Sequence, residues 1–403
     1  MPSSPQTLKG NAVIGQSGGP TAVINQSLVG VVEGLAGSSC IGKVLGAHHA
    51  VAGIVKNDFI ELQGIPQDRL DRIAQTPSAA LGSSRDKPDA EYCKKIFDVF
   101  AKRNVRYFFY IGGNDSSDTC RIVNELAKKN KYELRSFHVP KTIDNDLVNN
   151  DHTPGFASAA KFVAHAFIGD NLDNRALPGI KINIIMGRNA GFLTAASMLA
   201  RQHDDDGPHL IYVPEAAFDI DRFKDDVAET YRRLGRCLIA VSEGIHDQGG
   251  TPIMTKLAAS VEKDAHGNVQ LSGTGALGDH LSNVLKDHLG QDTRIRADTF
   301  GYLQRCFAGC VSQTDAHEAR LAGRKAAELA LAGERDGSIA IQRVSNNPYE
   351  VEYKRIELSD VAAKTQTLDP KYIVQGNNID PSYKDYLGPL VGDLPVVDSL
   401  RIH

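Results

Sequence analysis

The sequence predicts an α/β protein with mostly parallel sheets, divided into two domains. Short apolar runs alternate with amphipathic stretches, and glycine-rich or polar loops follow several of the runs. The chain has 403 residues, which is more than one ordinary hydrophobic core supports. In folds of this class ligands bind at the carboxyl ends of strands, so we expect a site in the loops that follow the strands.

The first half of the chain carries the clearer elements. A strand around Val13 and Ile14 precedes a helical stretch over 21–35, and helix 89–103 precedes strand 105–111. The helix places these residues on one face: Ala90, Cys93, Ile96, Phe97 and Phe100. The strand reads VRYFFYI, a continuous apolar run that is typical of a strand buried on both sides. Helix 115–128 and strand 133–139 follow.

The second half repeats the alternation. A predicted helix face contains Phe156, Ala160, Val163 and Phe167. Predicted strands and helices then follow in this order: strand 180–186, helix 190–201, strand 209–213, helix 220–234 and strand 237–241. Residues 260–275 are polar, with a hairpin turn predicted at 266–268. We interpret this region, within about 246–290, as an insertion without a derived role.

Composition excludes several classes of protein. Hydrophobic residues make up 41% and charged residues 23%, the balance of a soluble globular protein. The net charge of −4 gives no basic field for nucleic acid, and no apolar run reaches the ~18 residues of a membrane span. Residues 1–9 lack a secretory pattern and the six cysteines lack a zinc spacing, so we expect a cytoplasmic protein.

Two glycine-rich loops suit phosphate. The first, QSGGPT at 16–21, joins a strand to a helix, where glycines let a phosphate approach unpaired N–H groups. A merely tight turn explains it about equally well. The second, GGNDS at 112–116, adds the oxygen ligands of Asn114 and Asp115, which a hard Mg²⁺ prefers. Alternatively, the polar residues of this second loop only cap the following helix, since Asn, Asp and Ser are common N-cap residues.

A third loop carries more chemistry. PKTIDNDL at 140–147 places two carboxylates, an amide, a hydroxyl and a lysine within six residues. Transfer of a phosphoryl group to an alcohol needs a base for the hydroxyl proton and cations for the moving charge. Four arginines could add positive charge through their planar forks, provided that they converge: Arg85, Arg188, Arg296 and Arg305.

Together these loops resemble the phosphofructokinase family. Seven motifs stand in the family's order between about 15 and 305: GGP, LGSSR, GGND, PKTIDND, MGR, SEG and GYLQR. The resemblance implies two Rossmann-like three-layer domains with the active site in the cleft between them. The donor domain would comprise 1–155 and about 304–355, and the sugar-phosphate domain 156–303 and about 356–403.

The resemblance also implies a role for each matching residue. Asp144 is similar to the base that deprotonates the sugar 1-hydroxyl, and Arg188 to the cation on the transferred group. Substrate contacts are implied for Gly18, Arg85, Thr142, Asp146, Met186, Gly187, Glu243, Arg296, Tyr302, Leu303, Gln304 and Arg305. Among these, Glu243 would bind the sugar hydroxyls, and Arg296, Tyr302 and Arg305 the 6-phosphate. In this family a neighbouring subunit supplies part of that cluster, which implies a homodimer or homotetramer.

Two positions indicate the phosphoryl donor. Asp115 replaces a glycine that ATP-using relatives keep where the nucleotide phosphate passes, and its carboxylate would repel that phosphate. Lys141 replaces a second glycine and would neutralise the leaving group without a nucleotide to anchor it. An aspartate at 115 together with a lysine at 141 is expected in the pyrophosphate-dependent branch of the phosphofructokinase family. The resemblance therefore implies pyrophosphate and fructose 6-phosphate as the substrates. The implied reaction is reversible and would serve glycolysis or gluconeogenesis.

Departures and alternatives remain. The implied cofactor is Mg²⁺, but Asn114 stands where the family has an aspartate, and an amide oxygen ligates Mg²⁺ more weakly. An ATP-dependent phosphofructokinase and a non-catalytic sugar-phosphate-binding subunit are the alternatives within the family. Sedoheptulose 7-phosphate would suit Glu243 and Arg305 equally well. A nicotinamide dehydrogenase is disfavoured because the first loop does not fit GxGxxG.

Overall fold

The computed structural model describes residues 8–257, 275–362, 364–398 and 400. The chain divides into two compact units, each made of two segments. Unit 1 comprises Met1–Ser158 and Arg305–Gln366, and unit 2 comprises Ala159–Gln304 and Thr367–His403. The predicted hairpin at 266–268 lies outside the described residues. The assignment of one unit to the donor and the other to the sugar phosphate stays a prediction.

The first segment alternates strands and helices as the sequence indicates. Its elements are β1 (Gly10–Gln16), α1 (Ile24–Leu35), β2 (Ile41–Ala47), α2 (Val51–Lys56), β3 (Phe59–Glu61), α3 (Gln67–Gln75), α4 (Ala90–Lys102), β4 (Val105–Gly112), α5 (Asn114–Lys129) and β5 (Arg135–Pro140). The predicted buried face of α4 is confirmed except at Ala90, which is exposed. Asp89 caps α4 by accepting a hydrogen bond from the Tyr92 N–H, so Ala90 lies in the exposed first turn.

The following segments complete both units. Their elements are α6 (Phe156–Ala176), β6 (Ile180–Ile185), α7 (Phe192–Ala196), β7 (Leu210–Tyr212), α8 (Ile220–Leu234), β8 (Cys237–Ser242), α9 (Ile253–Leu257), α10 (Ala276–Leu289), β9 (Ile295–Thr299), α11 (Gln313–Ala332), β10 (Asp336–Asn346), β11 (Tyr349–Ile356), α12 (Leu358–Val361), β12 (Ile373–Val374), β13 (Asn378–Ile379) and α13 (Tyr383–Val391). The helix predicted around 190–201 is present as α7 followed directly by a 3₁₀ turn at Ser197–Ala200, so its second half is wound more tightly than an α-helix. There the Ser197 hydroxyl donates to the Thr194 carbonyl.

Unit 1 is built around a seven-stranded sheet of order β11-β10-β5-β4-β1-β2-β3. The five inner strands are parallel, and the edge strands β3 and β11 run antiparallel to their neighbours. Apolar clusters cover both faces of the sheet, which explains why β4 reads as an unbroken apolar run.

Unit 2 contains a parallel four-stranded sheet of order β7-β8-β6-β9. Its core consists mainly of aliphatic side chains from the strands, α8 and α10. The predicted α/β class with mostly parallel sheets is confirmed. Among the helices of the described ranges, none combines the length and the apolar character needed to cross a bilayer.

Candidate active site

Three neighbouring strands of unit 1 end at the same edge of the sheet. Gln16 at the end of β1 pairs with Ile111 of β4, and Ile111 pairs with Val139 of β5. Because the three strands are parallel, the loops that follow them lie side by side. These are the QSGGP, GGND and PKTIDND loops that the sequence singled out.

Gly112 allows the first two loops to approach each other. A Cβ atom built on Gly112 would lie 2.0 Å from the Ser116 Oγ and 2.3 Å from the Ser17 Oγ, so a side chain there would displace both serines. Its carbonyl accepts hydrogen bonds from the Lys141 N–H (2.9 Å) and from the His138 Nε2 (2.8 Å). The glycine therefore joins all three loops. The sequence did not single out His138, whose pKa burial lowers to about 4 and which acts here as a neutral donor.

The LGSSR loop packs on the first glycine-rich loop. Gly18 has a φ of +73°, and its N–H donates to the Ser84 carbonyl at 2.9 Å. The Ser83 hydroxyl donates to the Gly18 carbonyl at 2.6 Å. These bonds place Arg85, which directly follows them, near the loop.

The Lys141 ammonium lies beneath this loop. The residue is only 3% exposed, and its Nζ donates to the Gly19 carbonyl at 2.6 Å. Burial, together with the positive charges of Arg305 and Arg85, lowers the pKa of Lys141 to about 8. Three cations thus converge on one loop.

The PKTIDND loop is shaped by its own polar side chains. The Thr142 Oγ1 accepts from the Asp144 N–H at 3.1 Å. Asn145 adopts a φ of 59°, and its Oδ1 accepts from the Thr153 N–H at 2.9 Å. Burial raises the pKa of Asp146 well above its usual range, and the neighbouring Asp144 carboxylate raises it further.

A buried ionic network holds the segment that follows this loop. The ring of His152 contacts Asp151 through Nδ1 at 2.7 Å and Glu318 of α11 through Nε2. Arg343 pairs with Asp151 at 3.0 Å, and the Tyr349 hydroxyl donates to Glu318 at 2.6 Å. Burial lowers the pKa of His152, but the two carboxylates outweigh burial and raise it to about 9. Sequence reasoning missed this network because its members are far apart in the chain.

The GGND residues differ in exposure. The Asn114 Oδ1, at the start of α5, is buried and has no hydrogen-bond partner among the described residues. Asp115 is largely exposed in the first turn of α5, and its carboxylate lies 3.2 Å from the Lys87 Nζ. The sequence did not indicate Lys87.

In unit 2, the parallel strands β6 and β8 also end at the same edge of the sheet, since their last residues, Ile185 and Ser242, pair with each other. Met186 and Glu243 follow directly, and both are almost fully buried. Gly187 adopts a φ of +144°, and its carbonyl accepts from the Ser242 hydroxyl at 2.6 Å. This edge of the small sheet gathers the predicted MGR and SEG residues.

The GYLQ residues of unit 2 reach the same edge through Gln304. This side chain is buried, and its Oε1 accepts from the Met186 N–H at 3.4 Å. Tyr302 and Leu303 are 50% and 63% exposed, and Arg188 is exposed as well. The structure therefore brings Gln304 to the predicted sugar residues and leaves the other three side chains at the surface of unit 2.

Arg296 lies at the opposite end of this sheet. It pairs with Lys181 near the start of β6, whereas Met186 and Glu243 follow the strand ends. Ile185 is four positions beyond Lys181 along the strand, which corresponds to about 13 Å. Within one chain, the structure does not bring Arg296 to the other predicted sugar-phosphate residues of unit 2.

Glu215 supports the MGR loop and was missed by the sequence reasoning. Its Oε1 accepts from the N–H groups of Gly191 and Leu368, each at 2.8 Å. The Oε2 is buried without a partner among the described residues, and burial raises the pKa of this carboxyl. Its position just after β7 was the only signal in the sequence.

Comparisons with known proteins point to the same family as the motifs in these loops. The sequence profile of the Phosphofructokinase family matches residues 11–330. A pyrophosphate–fructose 6-phosphate 1-phosphotransferase from Rhodospirillum rubrum is 56% identical over 385 residues, covering 95% of each chain. One of the same name from Halomonas elongata is 37% identical, covering 94% of this chain and 91% of the relative.

A solved structure is similar as well. The pyrophosphate-dependent phosphofructokinase from Marinobacter aquaeolei superposes with a TM-score of 0.84 at 32% identity, covering 96% of this chain and 94% of that chain. The family predicted from the seven motifs is confirmed by matches that extend over nearly the whole sequence. The chain therefore belongs to the phosphofructokinase family.

Proposed function

We propose that this chain is a pyrophosphate-dependent 6-phosphofructokinase. It transfers a phosphoryl group from pyrophosphate to the 1-hydroxyl of fructose 6-phosphate, giving fructose 1,6-bisphosphate and phosphate. The observation that carries the proposal is the buried Lys141 ammonium on the Gly18–Gly19 loop, together with the Asp115 carboxylate at the start of α5. The names of the relatives at 56% and 37% identity support the same donor.

The residues of unit 1 suit this transfer. The 1-hydroxyl oxygen attacks the nearer phosphorus while its proton passes to Asp144, and the bridging P–O bond breaks to release phosphate. Burial and the Asp144 charge favour a proton on Asp146, which leaves Asp144 as the base. Lys141 and Arg85 neutralise the charge that develops on the leaving phosphate.

Mg²⁺ fits the residues present. The buried Asn114 Oδ1 has no hydrogen-bond partner among the described residues, and a cation or its bound water would satisfy it. The described ranges hold no cluster of three or more His, Cys, Asp or Glu residues able to bind a metal. This agrees with Mg²⁺ held largely by substrate phosphates and water. When bound, the ion would neutralise phosphate charge, and Asn114 would help to hold it.

The sugar phosphate is assigned to unit 2. Glu243, Met186 and Gly187 would contact the sugar, and Arg188 would meet the transferred group. Because Arg296 lies at the other end of the sheet in the same chain, a second copy is needed to supply it. We therefore propose a homodimer or homotetramer that works in the cytoplasm in glycolysis or gluconeogenesis.

The experiment that tests the function compares phosphoryl donors. Initial rates are measured with fructose 6-phosphate and Mg²⁺, using pyrophosphate or ATP at equal concentration. We expect turnover with pyrophosphate and at least a hundredfold less with ATP. Turnover with ATP alone would overturn the donor assignment, and inactivity with both would favour a non-catalytic subunit. Sedoheptulose 7-phosphate, tested in parallel, reports whether the acceptor site is wider.

A further inference from the structure

His152 lies in a buried ionic network next to the loop that carries Asp144. Its side chain is only 1% exposed, and its two ring nitrogens contact the carboxylates of Asp151 and Glu318. Because a ring nitrogen donates to an ionised carboxylate only when it carries a proton, the ring is an imidazolium. Burial lowers the pKa of His152, but the two carboxylates raise it to about 9, so the charge is present at pH 7.

The network joins the ring to two further parts of unit 1. The Asp151 N–H donates to the Ile341 carbonyl of β10 at 2.8 Å, and the Asp151 carboxylate pairs with Arg343 of the same strand at 3.0 Å. On the other side, Glu318 belongs to α11 and accepts a hydrogen bond from the Tyr349 hydroxyl of β11 at 2.6 Å. The segment that carries the ring is therefore held between α11 and the two strands.

Thr153, the residue after the ring, connects this network to the loop of Asp144. Its N–H donates to the Asn145 Oδ1 and its hydroxyl donates to the Thr142 carbonyl, each at 2.9 Å. The Thr142 hydroxyl in turn accepts from the Asp144 N–H at 3.1 Å. Asp144 is thus flanked by two loop residues that Thr153 holds. A displacement of the His152 ring would move the backbone on both sides of Asp144.

The position of this loop matters for proton transfer. A carboxylate that acts as a base has to lie within hydrogen-bond reach of the hydroxyl whose proton it takes. A misplacement of about 1 Å can lower the rate by about 100-fold, even when its origin is remote from the reacting atoms. A buried charge without its partner is strongly disfavoured, so an ionic network of this kind favours one position of the segment that it holds.

We propose that His152 is a positioning residue for the base Asp144. Held between two carboxylates, the ring fixes through Thr153 the loop that carries this base. The proposal rests on the proposed function of the chain, which makes Asp144 the base. It assigns no contact between His152 and a substrate, so the ring should affect kcat and leave substrate binding unchanged.

The test compares full-length variants in the pyrophosphate-dependent reaction. His152→Gln replaces two ring nitrogens by one neutral amide nitrogen and leaves a buried carboxylate without its charged donor. It should lower kcat by about 10- to 100-fold and leave the KM values for pyrophosphate and fructose 6-phosphate close to those of the wild type. The matched control is Glu33→Gln, which weakens the ion pairs of Glu33 in α1 with Arg320 and Arg324 of α11. It should lower the melting temperature and leave kcat unchanged.

Variants of Thr153 show whether the ring acts through this residue. Thr153→Val removes the hydroxyl that holds the Thr142 carbonyl and should lower kcat, whereas Thr153→Ser keeps a hydroxyl and should retain most of the activity. If both residues act along one path, the losses in His152→Gln and Thr153→Val should not multiply in the double variant. Losses that multiply would show that the two residues act independently and would overturn the proposed path.

Circular dichroism melting shows whether each variant is folded, and rates are measured well below each melting temperature. Should His152→Gln not fold, Glu318→Gln provides the test, because it removes one buried charge, keeps the ring and should lower kcat to a smaller extent at an unchanged KM. A folded His152→Gln variant with the kcat of the wild type would overturn the positioning role. A loss of kcat in Glu33→Gln as large as in His152→Gln would overturn it too, since destabilisation alone would then explain both. A wild type without pyrophosphate turnover would instead overturn the proposed function.

Discussion

Replacing Lys141 by methionine is expected to stabilise the ligand-free protein while it weakens donor binding. The ammonium is buried among like charges, with Arg305 and Arg85 acting against it and Asp144 and Asp146 in its favour. Methionine has a similar length and no charge, so it removes the repulsion and preserves most of the packing. Stability and function should therefore change in opposite directions.

The magnitude follows from the pKa of Lys141. Burial and the arginines lower this pKa from 10.5 to about 8, which costs the charged form about 3 kcal/mol in the folded state. Methionine loses the hydrogen bond to the Gly19 carbonyl, worth about 1 kcal/mol. A net gain of about 2 kcal/mol in the free energy of unfolding is expected at pH 7. For a domain of this size it raises the melting temperature by roughly 4–8 °C.

The cost of burying the Lys141 ammonium depends on pH. Because the folded pKa lies below the unfolded value, the penalty is fully present below pH 8 and disappears as the pH rises towards 10.5. The difference in stability between the variant and the wild type should therefore shrink between pH 8 and pH 10. A wild type saturated with pyrophosphate should gain stability, whereas the variant should gain much less.

The assay is urea denaturation at pH 7, 8.5 and 9.5, with and without pyrophosphate and Mg²⁺. Lys95→Met on the exposed face of α4 is the matched control and should change little at any pH. A Lys141→Met variant that is less stable than the wild type at pH 7 would refute the reasoning. A difference in stability that does not vary with pH would refute it as well.

Four further predictions concern single contacts. Asp144→Ser should lower kcat by several orders of magnitude while fructose 6-phosphate binding persists, because the base is removed. Asp115→Gly should reduce the exclusion of ATP, most clearly with Lys141→Gly, as measured by the ratio of kcat/KM for ATP to that for pyrophosphate. His152→Gln should flatten the pH dependence of unfolding. In the wild type the raised pKa contributes stability that is complete below pH 6.5 and is lost as the pH rises through about 9. Glu215→Ala should raise the KM for fructose 6-phosphate about tenfold, since two N–H groups lose their acceptor, and Glu215→Gln should largely restore it.

Each of these predictions has an outcome that contradicts it. A loss of less than tenfold in Asp144→Ser would mean that another group acts as the base. Undetectable ATP use in the double variant would mean that the steric and electrostatic argument at Asp115 is incomplete. A His152→Gln variant with the pH profile of the wild type would remove the ionic role of the imidazole. A Glu215→Gln variant as impaired as the alanine variant would indicate that the carboxylate charge matters.

The fold was predictable where burial leaves a local signal. The strand 105–111 and the helix 220–234 were recognised because one is buried on both faces and the other is amphipathic. The helix predicted around 190–201 is present, but its 3₁₀ second half was not anticipated, because a side-chain hydrogen bond of Ser197 accompanies that turn and periodicity does not report it. The type of each secondary-structure element could thus be predicted from the hydrophobic pattern, whereas local distortions of an element could not.

The site was predictable as a set of loops but not as a set of contacts. Parallel strands place their following loops at one edge, so the grouping of Gly18 with Lys141 follows from the order of elements. The register between β6 and β9 determines at which end of the sheet Arg296 lies. In the same way, the ring of His152 contacts a carboxylate 166 residues away in the chain. Such long-range pairings leave no periodic trace in the sequence.

The most direct test of the central claim is ³¹P nuclear magnetic resonance of the complete reaction. The purified protein is incubated with fructose 6-phosphate, Mg²⁺ and pyrophosphate, and in a second sample with fructose 1,6-bisphosphate and phosphate. The account predicts that the pyrophosphate signal is replaced by one phosphate and one new sugar 1-phosphate signal, and that both samples reach the same composition. Conversion of pyrophosphate into two phosphates without a bisphosphate, or bisphosphate formation only when ATP is supplied, would contradict it.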